Sequence, residues 1–341
     1  MQPRIIDIAK MAEVSPSAVS LALNNKTGVS TEVRQRIINI AEELGYKTVS
    51  SGAQYRASGN ATIRLLKIAK HGHIVNERHN AFITEYLEGI ERGAKKRQCK
   101  LEVSFFNKAP IEEIIDSQRG TAADGLIVLG TELNAHELDF FTALPGPVVF
   151  IDTYFPLAVF DCVDIDNADG VFRSVQYLYK CGHRSIGLVR SAYETRNFKM
   201  REIGFREAME YFSLPVQESC IVSVDPAYDQ CCVDMKKYLK KAKTLPTAFF
   251  CMNDIIAYGC IKALGDQGYT IPDDVSIIGF DDLPSSSITG PPLTTVKVSA
   301  RQIGERALER VFDTINGIGQ SSPEKILVAG NLIIRDSVKK L

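Results

Sequence analysis

The 341-residue chain contains no tryptophan, carries a net charge of only −1 and has no long apolar run. A membrane-spanning helix needs roughly 18 consecutive apolar residues, so we expect no membrane partner. No basic and apolar leader precedes the first amphipathic segment, and we therefore expect a cytoplasmic protein. One hydrophobic core rarely serves a chain of this length, which predicts two or three domains.

Metal-binding and redox motifs are also missing. The eight cysteines form no C-x-x-C pair, and no histidine occurs at zinc-finger spacing. His71 and His73 are close in sequence, but no third ligand accompanies them. We therefore expect no metal and no cofactor, and thiols that serve as small apolar side chains in a reducing compartment.

The near-zero net charge hides an uneven distribution. Residues 1–70 contain ten Lys and Arg against five Asp and Glu, whereas the remainder contains thirty against thirty-six. A local basic excess favours binding to a polyanion. The amino-terminal part is therefore the candidate DNA-binding region.

Apolar spacing divides this amino-terminal part into three short helices. The first covers the amphipathic segment 5–12, and the second starts at Ser15 and Pro16. The Ser15 hydroxyl can accept a hydrogen bond from an unpaired amide of the first turn, and proline at the first helical position loses no donor that the helix needs. Ser30 can cap a third helix that stops near Gly45. This spacing predicts a helix-turn-helix whose second helix enters the major groove. An ordinary three-helix bundle for protein contacts is the alternative.

Residues 7–37 read D-I-A-K-M-A-E-V-S-P-S-A-V-S-L-A-L-N-N-K-T-G-V-S-T-E-V-R-Q-R-I. This run resembles the DNA-binding domain of the LacI/GalR family of bacterial transcription regulators, and the resemblance continues to the carboxyl terminus. It implies that three side chains read bases: Pro16, Ser17 and Leu21. Four others are implied in phosphate contact or helix capping: Ser15, Ser20, Asn24 and Ser30. The family commonly has arginine at the position of Leu21, so we expect an operator that differs at that base pair.

A small, polar segment at residues 48–62 reads as a linker. In the family this position holds a hinge that becomes helical on DNA and inserts an apolar side chain into the minor groove, and by register that side chain is Tyr55. The family's usual proline and second arginine are missing, and Gly52 disfavours a helix. A helical hinge and a flexible tether both remain open.

Beyond the linker, apolar strand-like runs alternate with helical periods, which predicts an α/β fold of parallel sheets flanked by helices. The resemblance implies a two-lobe periplasmic-binding-protein-like core, with chain crossings placed near Asp164, Pro291 and Ser322. The predicted domains are the helix-turn-helix at 1–47, the linker at 48–62, an amino-terminal lobe at 63–163 with 292–322, and a carboxyl-terminal lobe at 164–291 with 323–341.

Polar residues follow the predicted strands, where ligands of open α/β sheets bind. Asp152 follows V-V-F-I, Asn253 follows A-F-F-C-M and Asp281 follows S-I-I-G-F, while Arg201 lies in a predicted helix. These groups can bind the hydroxyls of a small ligand. The resemblance assigns effector contact to Arg201, Asn253 and Asp281 and places Asp152 nearby.

The aromatic and capping assignments near these strands are separate hypotheses. Aromatic platforms for the effector could come from Phe82, Tyr154, Phe198 or Phe280, of which Phe82 and Phe280 are favoured. Asp254 is expected to cap the helix that follows it, Asp281 could instead cap the next loop, and Arg201 could instead pair with an acidic residue of its own helix.

These features together predict a transcription regulator, a homodimeric repressor, that binds double-stranded operator DNA and a sugar-like effector. A nucleobase or a phosphosugar is the alternative effector, and release of DNA by effector is favoured over promotion of binding. An α/β enzyme or a cytosolic small-molecule-binding protein is the rival function. No G-x-G-x-x-G, G-x-x-x-x-G-K-[ST] or G-x-S-x-G signature occurs, so we expect no enzyme.

Overall fold

The computed structural model of the chain describes residues 5–23, 28–44, 61–72, 80–317 and 322–341. The chain divides into two compact units, Met1–Arg56 and Ala57–Leu341. Within the second unit, two six-stranded sheets define two lobes. The predicted α/β class with an amino-terminal three-helix module is confirmed.

The first unit contains three helices: α1 (Ile5–Ala12), α2 (Pro16–Leu23) and α3 (Thr31–Glu43). They share a small apolar core that includes Ile8, Val19 and Ile37, each without solvent exposure. Ser15 Oγ accepts from the Ala18 amide at 3.2 Å, and Ser30 Oγ accepts from the Val33 amide at 3.4 Å. The predicted helix starts therefore have the capping geometry that the sequence indicated.

The amino-terminal lobe has a wholly parallel sheet. Its strands, in spatial order, are β11 (Lys325–Val328), β5 (Asp161–Ile165), β4 (Val148–Ile151), β3 (Gly125–Leu129), β1 (Thr62–Ala69) and β2 (Lys100–Asn107). The helices of this lobe are α4 (Asn80–Arg97), α5 (Ile111–Gln118), α6 (Ala135–Asp139) and α11 (Ala300–Ile315). Because helices cover both faces, β3 and β4 are continuous buried apolar runs.

The carboxyl-terminal lobe repeats this arrangement. Its strands, in spatial order, are β12 (Asn331–Ile333), β10 (Thr294–Lys297), β9 (Ser276–Asp281), β8 (Ala248–Cys251), β6 (Ile186–Ser191) and β7 (Ile221–Val224). Its helices are α7 (Asn167–Lys180), α8 (Arg196–Tyr211), α9 (Tyr228–Leu239) and α10 (Asp254–Asp266). All neighbouring strands are parallel except β10 and β12, which are antiparallel.

The first crossing between the lobes is near its predicted place, and the two later crossings are not. The first crossing follows Ile165, one residue beyond the predicted Asp164. The crossing predicted near Pro291 is wrong, because β10 pairs with β9 and the chain leaves this sheet only after Lys297. The crossing predicted near Ser322 is also wrong, because β11 pairs with β5 and the chain crosses between β11 and β12. Segment 292–297 therefore belongs to the carboxyl-terminal lobe and segment 323–328 to the amino-terminal lobe.

Two glycines bring α4 and α11 into backbone contact. A Cβ at Gly89 would lie 2.0 Å from the Arg301 carbonyl oxygen, and one at Gly304 would lie 2.3 Å from the Tyr86 carbonyl oxygen. Only glycine permits this approach, which sets the position of Tyr86 beneath the cleft.

All eight cysteines are free thiols, and all except the half-buried Cys99 are buried. None of the described helices is long and apolar enough to cross a membrane.

Candidate functional site

A cavity lies between the two lobes at the carboxyl ends of their strands. The amino-terminal lobe lines it with Phe82, Ile83, Thr131 and Asp152, and the carboxyl-terminal lobe lines it with Thr195, Asn197, Phe198, Arg201, Asn253 and Asp281. The cavity is narrow, with a volume of about 40 Å³. A ligand larger than a few atoms therefore requires the lobes or the lining side chains to move apart.

Five of the six side chains predicted for effector contact line this cavity, and Phe280 does not. Phe280 is fully buried, and its ring lies 3.8 Å below the guanidinium carbon of Arg201. Neighbouring strand residues point to opposite faces, so Asp281 faces the cavity while Phe280 packs towards Gly170 of α7. The platform prediction for Phe280 is therefore wrong, and its ring instead supports Arg201 through a cation–π contact.

Asp152 is held by donors from three elements. Its carboxylate accepts from Tyr86 Oη at 2.8 Å, from Asn197 Nδ2 at 3.0 Å and from the Thr131 hydroxyl. Burial raises the pKa of Asp152, while the hydrogen bonds of Thr131 and Tyr86 oppose that rise. Since Asn197 belongs to α8, the Asp152 contact joins the two lobes directly.

Arg201 is built into the carboxyl-terminal lobe. Its Nε donates to Asn167 Oδ1 at 2.8 Å, one terminal nitrogen donates to the Met252 carbonyl at 2.5 Å, and the other lies 3.3 Å from Asp281 Oδ1. The alternative pairing of Arg201 on its own helix is wrong, because Glu202 pairs with other arginines of the described chain.

Carboxyl groups outnumber cations among the described residues that line or adjoin this cavity. Burial raises the pKa of Asp281 to about 8, although Arg201 opposes the rise. Asp164 is fully buried near Asp152, one of its carboxylate oxygens has no hydrogen-bond partner among the described residues, and burial raises its pKa well above the ordinary value. Among the described lining residues, the guanidinium of Arg201 therefore faces several buried carboxyl groups.

The cap of α10 is one residue earlier than the sequence indicated. Asn253 Oδ1 accepts from the Ile256 amide at 2.9 Å and is the cap. Asp254 is fully buried and instead accepts from the Leu283 amide and the hydroxyls of Ser286 and Thr295. Burial raises the pKa of Asp254 to about 6. The capping prediction for Asp254 is therefore wrong. Its carboxyl group instead connects the start of α10 to Leu283, Ser286 and Thr295.

Sequence reasoning missed three polar contributors to the cavity: Thr131, Thr195 and Asn197. Phe198, one of the four possible aromatic platforms, also lines the cavity. A signal existed for Thr131, since it follows β3 as Asp152 follows β4. A weaker signal existed in α8, where Asn197 lies one helical turn before Arg201.

The predicted DNA-contacting residues lie around α2. Ser15, Pro16 and Ser17 are exposed, and Leu21 is half-buried. Ser30 is exposed where α3 begins. The Ser20 side chain, Asn24 and Tyr55 lie outside the part that the structure describes, so their predicted roles stay predictions.

Comparisons with known proteins agree with this architecture. A family model for bacterial regulatory proteins of the lacI family matches residues 4–48, and one for the periplasmic binding protein-like domain matches residues 175–338. The transcriptional repressor PurR of Haemophilus influenzae (strain PittEE) is 30% identical over 349 residues, covering 99% of each chain.

Two solved structures share the fold. The complex of the transcriptional regulator CelR with cellobiose has a TM-score of 0.73 at 22% identity and covers 98% of this chain and 100% of its own. The lac repressor dimer bound to operator and an anti-inducer has a TM-score of 0.72 at 20% identity and covers 99% and 100%. Identity over the whole length of PurR and the matched amino-terminal model go beyond shared fold. The chain therefore belongs to the LacI family of bacterial regulatory proteins and is a DNA-binding transcriptional repressor.

Proposed function

We propose that this repressor binds its operator as a homodimer and that a small, neutral, hydroxyl-rich effector bound between the lobes lowers its operator affinity. The observation that carries the effector class is the excess of hydrogen-bond acceptors in the cavity. Two reading modules are needed to cover two half-sites of an operator. A sedimentation measurement that gives a monomer at micromolar concentration would overturn the dimer.

The lining groups favour a ligand that donates hydrogen bonds. Asp152 and Asp281 offer carboxyl oxygens that can accept hydrogen bonds, whereas three nitrogens of Arg201 already contact Asn167, Met252 and Asp281. Sugar hydroxyls donate to carboxylates, and an apolar sugar face can pack on Phe82 or Phe198. Arg201 is the cation among the described residues that line the site, and it is already paired, which disfavours a phosphorylated sugar.

A nucleobase is the second candidate effector. The cavity is narrow, and Phe82 and Phe198 line it from opposite lobes, as a flat ring would require. Base N–H groups can donate to Asp281 as sugar hydroxyls do. The two classes differ in shape more than in polarity, so a binding screen must contain both.

To control operator binding, the effector must bind one arrangement of the two lobes more tightly than another. A ligand shifts an equilibrium only by its differential affinity, so an effector that prefers one lobe arrangement changes how the two DNA-binding modules are presented. Loss of operator binding is the proposed direction, and an effector that strengthens operator binding is the alternative.

A thermal-shift screen of neutral sugars, phosphosugars and nucleobases tests the effector class. We expect a neutral sugar to raise the melting temperature, and Asp281→Ala to weaken its binding by about 10- to 150-fold, the equivalent of losing a charge-assisted hydrogen bond. The matched control is Asp282→Ala, since the neighbouring Asp282 pairs with Arg335 and does not line the cavity. If Asp281→Ala responds like the parent protein, the assignment of the cleft is wrong.

A further inference from the structure

The start of α8 reaches across to the amino-terminal lobe beside the cavity. Asn197 contacts Asp152 within the cavity, but two neighbouring side chains, Tyr193 and Arg196, cross between the lobes without lining the cavity. Both contact residues that follow strands of the amino-terminal lobe. These contacts can therefore influence the separation of the lobes without touching an effector.

Arg196 makes the more extensive of the two crossings. Its Nε donates to the Tyr154 carbonyl at 3.0 Å, and its guanidinium carbon lies 5.2 Å from the Tyr154 ring and 5.7 Å from the Phe155 ring. Arg196 is also the first residue of α8, where the helix dipole disfavours a cation. Helix stability does not account for an arginine at this position, whereas the contacts with the other lobe do.

Tyr193 makes the second crossing. Its ring stacks on His71 at a centroid distance of 5.8 Å and an interplanar angle of 25°. The backbone at His71 is held in place, because Glu132 Oε2 accepts from the amides of Lys70 and His71 at 2.8 and 3.0 Å. Tyr193 therefore packs on a fixed part of the amino-terminal lobe.

We propose that Arg196, with Tyr193 beside it, is a latch that holds the two lobes in the closed arrangement. The latch determines the fraction of molecules in the closed form, in which side chains of both lobes line one cavity. The measured affinity for a ligand that requires the closed form scales with that fraction. This consequence for the effector rests on the proposed function, whereas the closure itself can be measured without any ligand.

Hydrogen–deuterium exchange of the full-length protein tests the latch. The first turns of α4 and α10 both adjoin the cavity, and they lie in different lobes. Amides in the first turn of a helix have no backbone acceptor within the helix. Apart from the Ile256 amide, which donates to Asn253, their protection in these turns therefore depends on burial. Loss of a cation–π contact and its hydrogen bond should raise exchange in both turns of Arg196→Ala by roughly 2- to 30-fold.

The matched control is Lys199→Ala, which removes a cation from the same helix. Lys199 is exposed and pairs with Glu194 of its own lobe, so exchange in both turns should match the parent protein. Arg196→Lys keeps the charge but loses the planar stacking, and we expect an intermediate rise. An unchanged melting temperature establishes that each variant is folded.

Two results would overturn the latch. In the first, exchange rises only in peptides that contain residues 152–155 or 193–199, which is local fraying around Arg196. In the second, exchange is unchanged throughout. If both turns respond as expected but no compound in the thermal-shift screen binds, the latch stands and the effector proposal fails.

Discussion

Several carboxyl groups are buried in or beside the cleft, where their charged forms are unfavourable. Asp152, Asp164 and Asp281 are all buried, and Arg201 is the cation that contacts Asp281. Removing these carboxyl groups from water favours their protonated forms, and one paired guanidinium does not fully oppose that effect. The same groups are suited to a ligand that donates hydrogen bonds, because such a ligand replaces the lost water.

Asp281 should make stability depend on pH in a defined direction. Its pKa is raised to about 8 in the folded protein, from an ordinary value of 3.8. The folded state therefore binds more protons than the unfolded state between these values, and this group's contribution to the free energy of unfolding falls as pH rises. The variant Asp281→Asn does not lose stability in this way. Its free energy of unfolding minus that of the parent protein should therefore rise between about pH 5 and about pH 8, by at most ~1.4 kcal/mol per pH unit.

Urea unfolding of both proteins across that pH range measures this difference. Asp266→Asn is the control, since Lys236 and Lys262 hold the pKa of Asp266 below its ordinary value and hence below the measured range. Its difference from the parent should not vary with pH. A difference for Asp281→Asn that stays constant or falls as pH rises would contradict the raised pKa.

At the scale of elements, close helix packing places the amino-terminal wall of the cleft. The contact of α4 with α11 leaves no room for a side chain at Gly89. Gly89→Ala should therefore force the helices apart and lower the free energy of unfolding by about 1 to 3 kcal/mol. Gly265→Ala in α10 is the matched control: a Cβ there meets nothing within 4 Å, and alanine should stabilise this helix by roughly 0.5 to 1 kcal/mol. Equal effects in a denaturant titration would show that packing does not decide the outcome.

The recognition helix α2 makes a second prediction at this scale. Leu21 can make only apolar contacts with bases, such as the thymine methyl group, whereas arginine reads guanine through two hydrogen bonds. Selection from a random DNA library should therefore give half-sites for the parent protein and for Leu21→Arg that differ at one base pair, with guanine preferred by the variant. Identical preferred sites would mean that Leu21 does not face a base.

At the scale of the whole molecule, local patterns predicted most elements and long-range pairing decided the rest. Strand ends at Asp152, Asn253 and Asp281 could be located because each follows a continuous apolar run. The strand β5 was not predicted, because Asp161 and Asp164 interrupt its apolar pattern. The later crossings could not be located, since β10 is assigned to a lobe only by its pairing with β9.

The same limit applies to the cavity. The pairing of Arg201 with Asp281 joins residues 80 positions apart, and the contact of Asn197 with Asp152 joins the two lobes. Spacing along one chain contains no information on such contacts. One aromatic assignment failed for a similar reason: Phe280 lies beneath Arg201, whereas Phe82 and Phe198 line the cavity.

We propose that a ligand in the cleft controls operator binding by the amino-terminal module. Its most direct test is fluorescence anisotropy of labelled DNA from upstream of the protein's own gene, titrated with the full-length protein in the presence and absence of the sugar that most raises its melting temperature. At a concentration that saturates the parent protein but not Asp281→Ala, this sugar should weaken operator binding by the parent and leave binding by the variant unchanged, while both proteins bind equally without sugar. Equal operator affinity with and without the sugar, in a parent protein that demonstrably binds it, would show that the cleft does not control the DNA-binding module.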